Sequence, residues 1–183
     1  MPPLSQSPAA NVNNINSVPA FLVLSVMLAI AVYIELKERR IPNWLTLSGM
    51  ALGLLIAYLH GSRAFGASIG GLLIGFGFLF IFYVFGGVGG GDVKLMGAAG
   101  ALMGSNLIQS ALVYTAFIGA FLAVMMLIWR KDFWVRIGWG FRQLAFWRKG
   151  EAAELTPPTP IVVPYGMAIA LGCLLALLFS TAV

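Results

Sequence analysis

Residues Val93 to Trp129 read VKLMGAAGALMGSNLIQSALVYTAFIGAFLAVMMLIW, and how this run divides decides the fold. It is apolar over 37 residues, whereas one helix crosses a bilayer with about 20, in a range of roughly 17–25. Gly104-Ser-Asn106 is the natural turn within it. The run therefore predicts a short fourth helix, about Asp92 to Met103, and a fifth, about Leu107 to Trp129.

Working outward, the segment just before the run is Gly86-Gly-Val-Gly-Gly-Gly91-Asp92. Each glycine costs a helix interior about 1 kcal/mol relative to alanine, so five of them in six positions predict a loop. A third span, about Ala67 to Phe85, leads into that loop, after a short connection with His60 and Arg63. The second span ends at about Leu59 and is opened by Pro42, since proline is tolerated in a first helical turn. The first runs from about Val18 to Ile34 and is followed by the polar Glu35-Leu-Lys-Glu-Arg-Arg40. Downstream of Trp129 come a basic, Trp-rich loop from Arg130 to Lys149, a Pro-rich stretch from Glu151 to Pro160, and a last span from about Ile161 to Leu178. Met1 to Ser17, rich in Pro, Ser and Asn, reads as a disordered non-cytoplasmic tail. It carries no Lys or Arg, so it does not resemble a cleaved signal peptide.

Composition agrees with an all-α integral membrane protein of six transmembrane helices, residues 18–183, with a Gly-rich loop before a short fourth helix. The chain is 60% hydrophobic and 9% charged, against about 25% charged in ordinary soluble domains. The net charge of +5 suits anionic lipid rather than nucleic acid, because the basic residues sit beside apolar spans. Six spans put Lys37, Arg39, Arg40, Lys94, Arg130, Lys131, Arg136, Arg142, Arg148 and Lys149 on one side, leaving only Arg63 opposite. By the positive-inside bias that side is the cytoplasm, and both termini lie outside it. Merging the fourth and fifth helices would expel the basic loop. The lone Cys173 has no disulfide or metal partner in sequence and reads as a small packing residue. No metal and no cofactor is expected.

Of the six acidic residues, Asp132, Glu151 and Glu154 lie in the polar loop region, and Glu38 sits among Lys37, Arg39 and Arg40 as a local charge partner. Glu35 and Asp92 each adjoin an apolar span, where ionisable groups are expensive and mark function by default. Counting spans, Glu35 follows the first and Asp92 the third, so both face the cytoplasm. Two carboxylates held close cannot both ionise readily and share a proton. One then acts as base toward water and the other as acid toward a carbonyl. The competing reading is a pair of unrelated helix-end carboxylates, with Asp92 stabilising a helix N-terminus. The glycines also have two readings. One is a phosphate cradle, although the run lacks the Gly-Lys-Ser/Thr ending of a P-loop. In the other they let a peptide or a second helix approach Asp92 closely, the better-supported reading.

Gly89-Gly90-Gly91-Asp92, followed by Val93-Lys94-Leu95-Met96, resembles the GxGD signature of the prepilin peptidases, membrane aspartyl proteases related in mechanism to presenilin and the preflagellin peptidases. Glu35 to Thr46, with Arg39-Arg40-Ile41-Pro42-Asn43, is similar to the first active-site region of that family. Pro164-Tyr165-Gly166, followed by Ala168-Ile169-Ala170, resembles its last-helix signature. Together these segments cover about residues 20–180. The resemblance implies catalytic roles for Asp92 and Glu35, and a substrate-binding or structural role for Gly89, Gly90, Gly91, Lys94, Pro42, Asn43, Pro164, Tyr165 and Gly166. One departure stands out: the family places aspartate where this chain has Glu35, which adds a methylene. A misplacement of about 1 Å can cost on the order of 10²-fold in rate, unless the backbone shifts to compensate.

The chain begins almost directly with its first span and has no cysteine cluster, so it looks like the compact form without a methyltransferase region that serves Flp-type (Tad) pilus systems. The implied activity is endoproteolytic removal of a prepilin leader at the cytoplasmic face of a bacterial inner membrane. The implied substrate carries a basic leader and an apolar helix in the bilayer. Membrane lipids and a pilus or secretion machinery are the further partners. The loop from Arg130 to Lys149 sets Phe133, Ile137, Phe141 and Leu144 at helix-like spacing among Trp134, Trp139 and Trp147, as in an interfacial helix. It is read as cytoplasmic through residue 160. His60 lies on the opposite face and has no catalytic role. Two rival readings are a catalytically silent assembly factor and a proton-coupled transporter. The latter is disfavoured because no internal repeat is visible.

Overall fold

The computed structural model describes residues 18–129 and 165–181. The tail before Val18, the basic and Pro-rich loop, and Ile161 to Pro164 lie outside the described residues. Within them the chain is helical apart from three short connections. The helices are α1 (Val18–Glu38), α2 (Asn43–Leu59), α3 (Ser62–Val84), α4 (Gly90–Trp129) and α5 (Tyr165–Thr181). Two compact units divide them: residues 18–119 with 165–181 form one, and α4 from residue 120 belongs to the other. Among the described residues, those of the candidate site lie in the first.

Helix α4 is two helices joined at one residue. Gly104 has φ 77° and ψ 174°, a backbone open to glycine because it lacks Cβ. Around this break the chain reverses. A Cβ built on Gly75 of α3 would lie 2.6 Å from Met96 O of the first arm and 3.3 Å from Ile108 Cγ1 of the second. The arms therefore run side by side, and the second carries Gly119 against the Tyr165 ring at the start of α5. With α1, α2, α3 and α5 this gives six helical segments among the described residues. The turn expected over Gly104-Ser-Asn106 needs only Gly104, since Ser105 and Asn106 are already helical.

The first arm of α4, residues 90–103, is the centre of the unit. Val93, Leu95, Met96, Ala98, Ala99, Ala101, Leu102 and Met103 are all buried. A helix apolar on every side belongs in a core, and its small residues let neighbouring backbones come close. On one side it meets α2, where a Cβ on Gly53 would lie 3.0 Å from Ala101 Cβ. On the other it crosses α3 so tightly that a Cβ on Gly71 or Gly100 would fall on the carbonyl oxygen of the other. Ser68 Oγ donates to Ala101 O at 2.6 Å across the same crossing.

The outward faces are as apolar as the core. Phe21, Leu22, Val26, Leu47, Leu55, Leu73, Ile81 and Phe117 are exposed. Val18–Glu38, Ser62–Val84 and Gly90–Met126 are each long and apolar enough to cross a membrane. Asn43–Leu59 and Tyr165–Ser180 are shorter apolar helices. An apolar exterior of this extent suits lipid, not water.

Several helix ends differ from expectation. Helix α1 continues one turn past Ile34 to Glu38, and α3 starts at Ser62 rather than Ala67. Hydropathy marks where a chain enters the bilayer, whereas a helix ends where the backbone turns. For α1 that point is Arg39, at φ 54°. Pro42 does not open α2 from inside: it is the extended residue before it (φ −72°, ψ 140°), and Asn43 is the first helical residue. The glycine loop is shorter than expected, because Gly90 and Gly91 already form the first turn of α4.

Candidate active site

The site is built where α1 ends and α2, α4 and α5 begin. Lys94 Nζ donates to Asn43 Oδ1 at 2.9 Å, tying the start of α4 to the start of α2. Gly166 N donates to Glu35 Oε1 at 3.1 Å, tying α5 to the last turns of α1. Ile41, in the α1–α2 connection, closes the ring. A Cβ on Gly91 would lie 3.1 Å from Ile41 Cβ, and one on Gly166 would lie 3.3 Å from Ile41 Cδ1. Glu35, Gly166, Ile41, Gly91 and Asp92 thus form one continuous cluster.

Both carboxylates are buried within it, each 8% exposed, and they lie within electrostatic range of each other. Glu35 and Asp92 lie at the same end of the helical unit. Asp92 has a second duty. Val93 N bonds Gly89 O at 3.3 Å, which makes Gly89 the N-cap of α4. Asp92 Oδ2 accepts from Gly89 N at 3.2 Å, the reach-back half of a capping box. So the helix-stabilising reading of Asp92 and its proximity to Glu35 both hold, and one oxygen serves the cap. Glu35 is held by the amide of Gly166 at one oxygen, with the Met167 amide also near the carboxylate, while among the described residues Oε2 is buried without a hydrogen-bond partner of ordinary geometry.

The remaining residues expected at the site fall into three groups. Gly89, Gly90 and Gly91 start α4 beside the carboxylates, and Gly91 gives room to Ile41, a close approach made by the chain's own connection. Lys94, Asn43 and Pro42 lie at the rim, where Lys94 and Asn43 bond each other. Tyr165 packs its ring on Gly119, and Pro164 lies outside the described residues. Glu38 points away from the site and pairs on the surface with Arg40 at 3.2 Å. Sequence reading gave no role to Ile41. The one signal was its position between Glu35 and the opening of α2.

A buried pair of carboxylates at one end of an apolar helical bundle is the candidate site of an integral membrane protein. The profile of the type IV leader peptidase family matches residues 22–124, more than half of the chain, and the chain belongs to that family. It is also similar to a prepilin leader peptidase/N-methyltransferase of Aeromonas hydrophila, with 30% identity over 119 residues. That alignment covers 61% of this chain and 41% of the relative, so the chain spans less than half of the relative's length. No solved structure gives a significant match.

Proposed function

We propose that the protein is a membrane aspartyl-type endopeptidase that removes the leader of type IV prepilins, of the Flp type, at the cytoplasmic face of a bacterial inner membrane. The observation that carries this reading is that Glu35 and Asp92, two buried carboxylates from distant parts of the chain, lie within electrostatic range of each other in a member of the leader peptidase family. The six helical segments are taken as six spans with both termini outside the cytoplasm, in keeping with the charge bias of the loops.

In this reading, one carboxylate takes a proton from water as its oxygen attacks the scissile carbonyl carbon. The other carboxyl donates its proton to the carbonyl oxygen. The tetrahedral gem-diol then collapses: the C–N bond breaks, the departing nitrogen receives a proton from the first group, and one hydroxyl returns its proton to the second carboxylate as the carbonyl re-forms. Asp92 supplies a carboxyl whose orientation is fixed by the cap of α4, and Glu35 one fixed by the start of α5.

The first arm of α4 spans about 21 Å at roughly 1.5 Å per residue, less than a hydrocarbon core of about 30 Å. If Gly104 reaches the outer interface, Asp92 lies below the cytoplasmic surface, and water reaches it through a protein-lined recess. Co-expression with an Flp-type prepilin tests the function. The wild type should shorten the prepilin, and Asp92→Ala should leave it full length while remaining in the membrane. Equal processing by both would sink the reading.

A further inference from the structure

Glu35 and Gly166 are 131 positions apart, yet three features of their meeting fit together. The Gly166 amide donates to Oε1 at 3.1 Å. The Gly166 α-carbon faces the other oxygen, so that a Cβ there would lie 2.5 Å from Oε2 and 3.0 Å from Cδ. Oε2 itself is buried and, among the described residues, has no hydrogen-bond partner within ordinary geometry, although the Met167 amide also lies near the carboxylate. We propose that Gly166 is the positioning residue for Glu35, its amide fixing one carboxylate oxygen and its missing side chain leaving the other free to exchange a proton with water or substrate.

This inference rests on the proposed peptidase reading and adds a matched length to it. Residue 35 must be long enough to reach α5, and residue 166 must be small enough to receive it. Aspartate at position 35 withdraws the carboxylate by roughly 1–1.5 Å, which carries the 3.1 Å contact past the hydrogen-bonding limit of about 3.5 Å. Alanine at position 166 meets a carboxylate that cannot retreat without losing the same bond. Ile41 Cδ1, the next neighbour at 3.3 Å, is the end of a flexible side chain and can yield.

The two substitutions should therefore mask each other. In leader cleavage by the purified full chain, Gly166→Ala should lower kcat about 100-fold, the scale of a misplacement of about 1 Å, with KM little changed. Glu35→Asp alone should lose at least about tenfold. In the Glu35→Asp background, Gly166→Ala should cost less than about twofold, because the shortened side chain no longer meets the added methyl group. Losses that multiply independently, or Glu35→Asp as active as wild type, would overturn the proposal. If Gly166→Ala alone fails to accumulate in the membrane, Glu35→Asp should restore its level, and failure to do so also counts against the proposal.

A measurement without turnover separates this proposal from the functional reading. With isotope-labelled glutamate, the infrared difference between wild type and Glu35→Asp isolates the Glu35 carboxyl band. Gly166→Ala should shift that band. An unshifted band refutes the anchor even if the wild type cleaves prepilin. A shifted band in a protein that cleaves nothing keeps the anchor and discards the peptidase reading.

Discussion

Replacing Gly71 by alanine should damage the protein although the substitution is conservative and lies far along α3 from the site. The added Cβ would sit 2.7 Å from Gly104 C and closer still to Gly100 O. Ordinary contact begins at 3.4 Å, so α3 must move off the first arm of α4 by about 0.7 Å or more. The obstructing atoms are backbone, which cannot rotate away. Ser68, one turn earlier, loses the tight 2.6 Å bond to Ala101 O as the crossing opens. Overpacking costs about 1–3 kcal/mol, and the weakened hydrogen bond adds about 1 kcal/mol. The better helix propensity of alanine returns about 1 kcal/mol. The net loss is about 2 kcal/mol, a fall in Tm of roughly 4–8 °C for a chain of this size. Gly77, on the same helix, has nothing within 4 Å of its would-be Cβ, so Gly77→Ala should be neutral or slightly stabilising. Thermal unfolding in detergent decides the matter. Gly71→Ala melting with the wild type while Gly77→Ala melts lower would refute the packing described for the central helix.

Further expectations concern the site. Glu35→Gln should abolish leader cleavage, whereas Glu38→Gln should cleave at close to the wild-type rate, because Glu38 is 47% exposed and its partner Arg40 is a surface residue; an essential Glu38 in the processing assay would mean the wrong carboxylate has been assigned. Asn43→Ala and Lys94→Ala should each slow cleavage by roughly two- to tenfold, and the double variant should be no worse than the poorer single one, since both remove one bond. In a Cys173→Ser background, which removes the only native thiol, Phe85→Cys should react fast with a membrane-impermeant thiol reagent added from the cytoplasmic side, as Phe85 is 83% exposed. Val93→Cys and Met96→Cys should stay protected, and rapid labelling at either would contradict the buried start of α4.

Much of this architecture is legible in the sequence, for identifiable reasons. The division of Val93–Trp129 follows from its length and from Gly104, the residue that takes the left-handed φ. The shared face of Glu35 and Asp92 follows from counting spans. Other features depend on tertiary contacts that no local pattern encodes. The Gly71–Gly100 crossing joins two helices whose facing residues cannot be paired from periodicity, because the first arm of α4 is apolar all round. The helical state of Glu35 to Glu38 is hidden by their polarity, since a polar turn at the membrane edge looks like a loop to hydropathy. Asp92 as a helix cap was foreseeable, because a carboxylate three residues after Gly89 is a capping arrangement. The place of Ile41 between the two halves of the site was not foreseeable.

The central claim is that Glu35 and Asp92 cleave a peptide bond together. The most direct measurement incubates the purified full chain, in detergent or liposomes, with an Flp-type prepilin and follows product masses over time. The wild type should yield one leader fragment and one mature pilin that sum to the prepilin plus one water. Asp92→Asn, which keeps the size of the side chain and loses its ionisable proton, should yield neither. Intact prepilin after incubation with folded wild type, or the same two fragments from Asp92→Asn, would contradict the account.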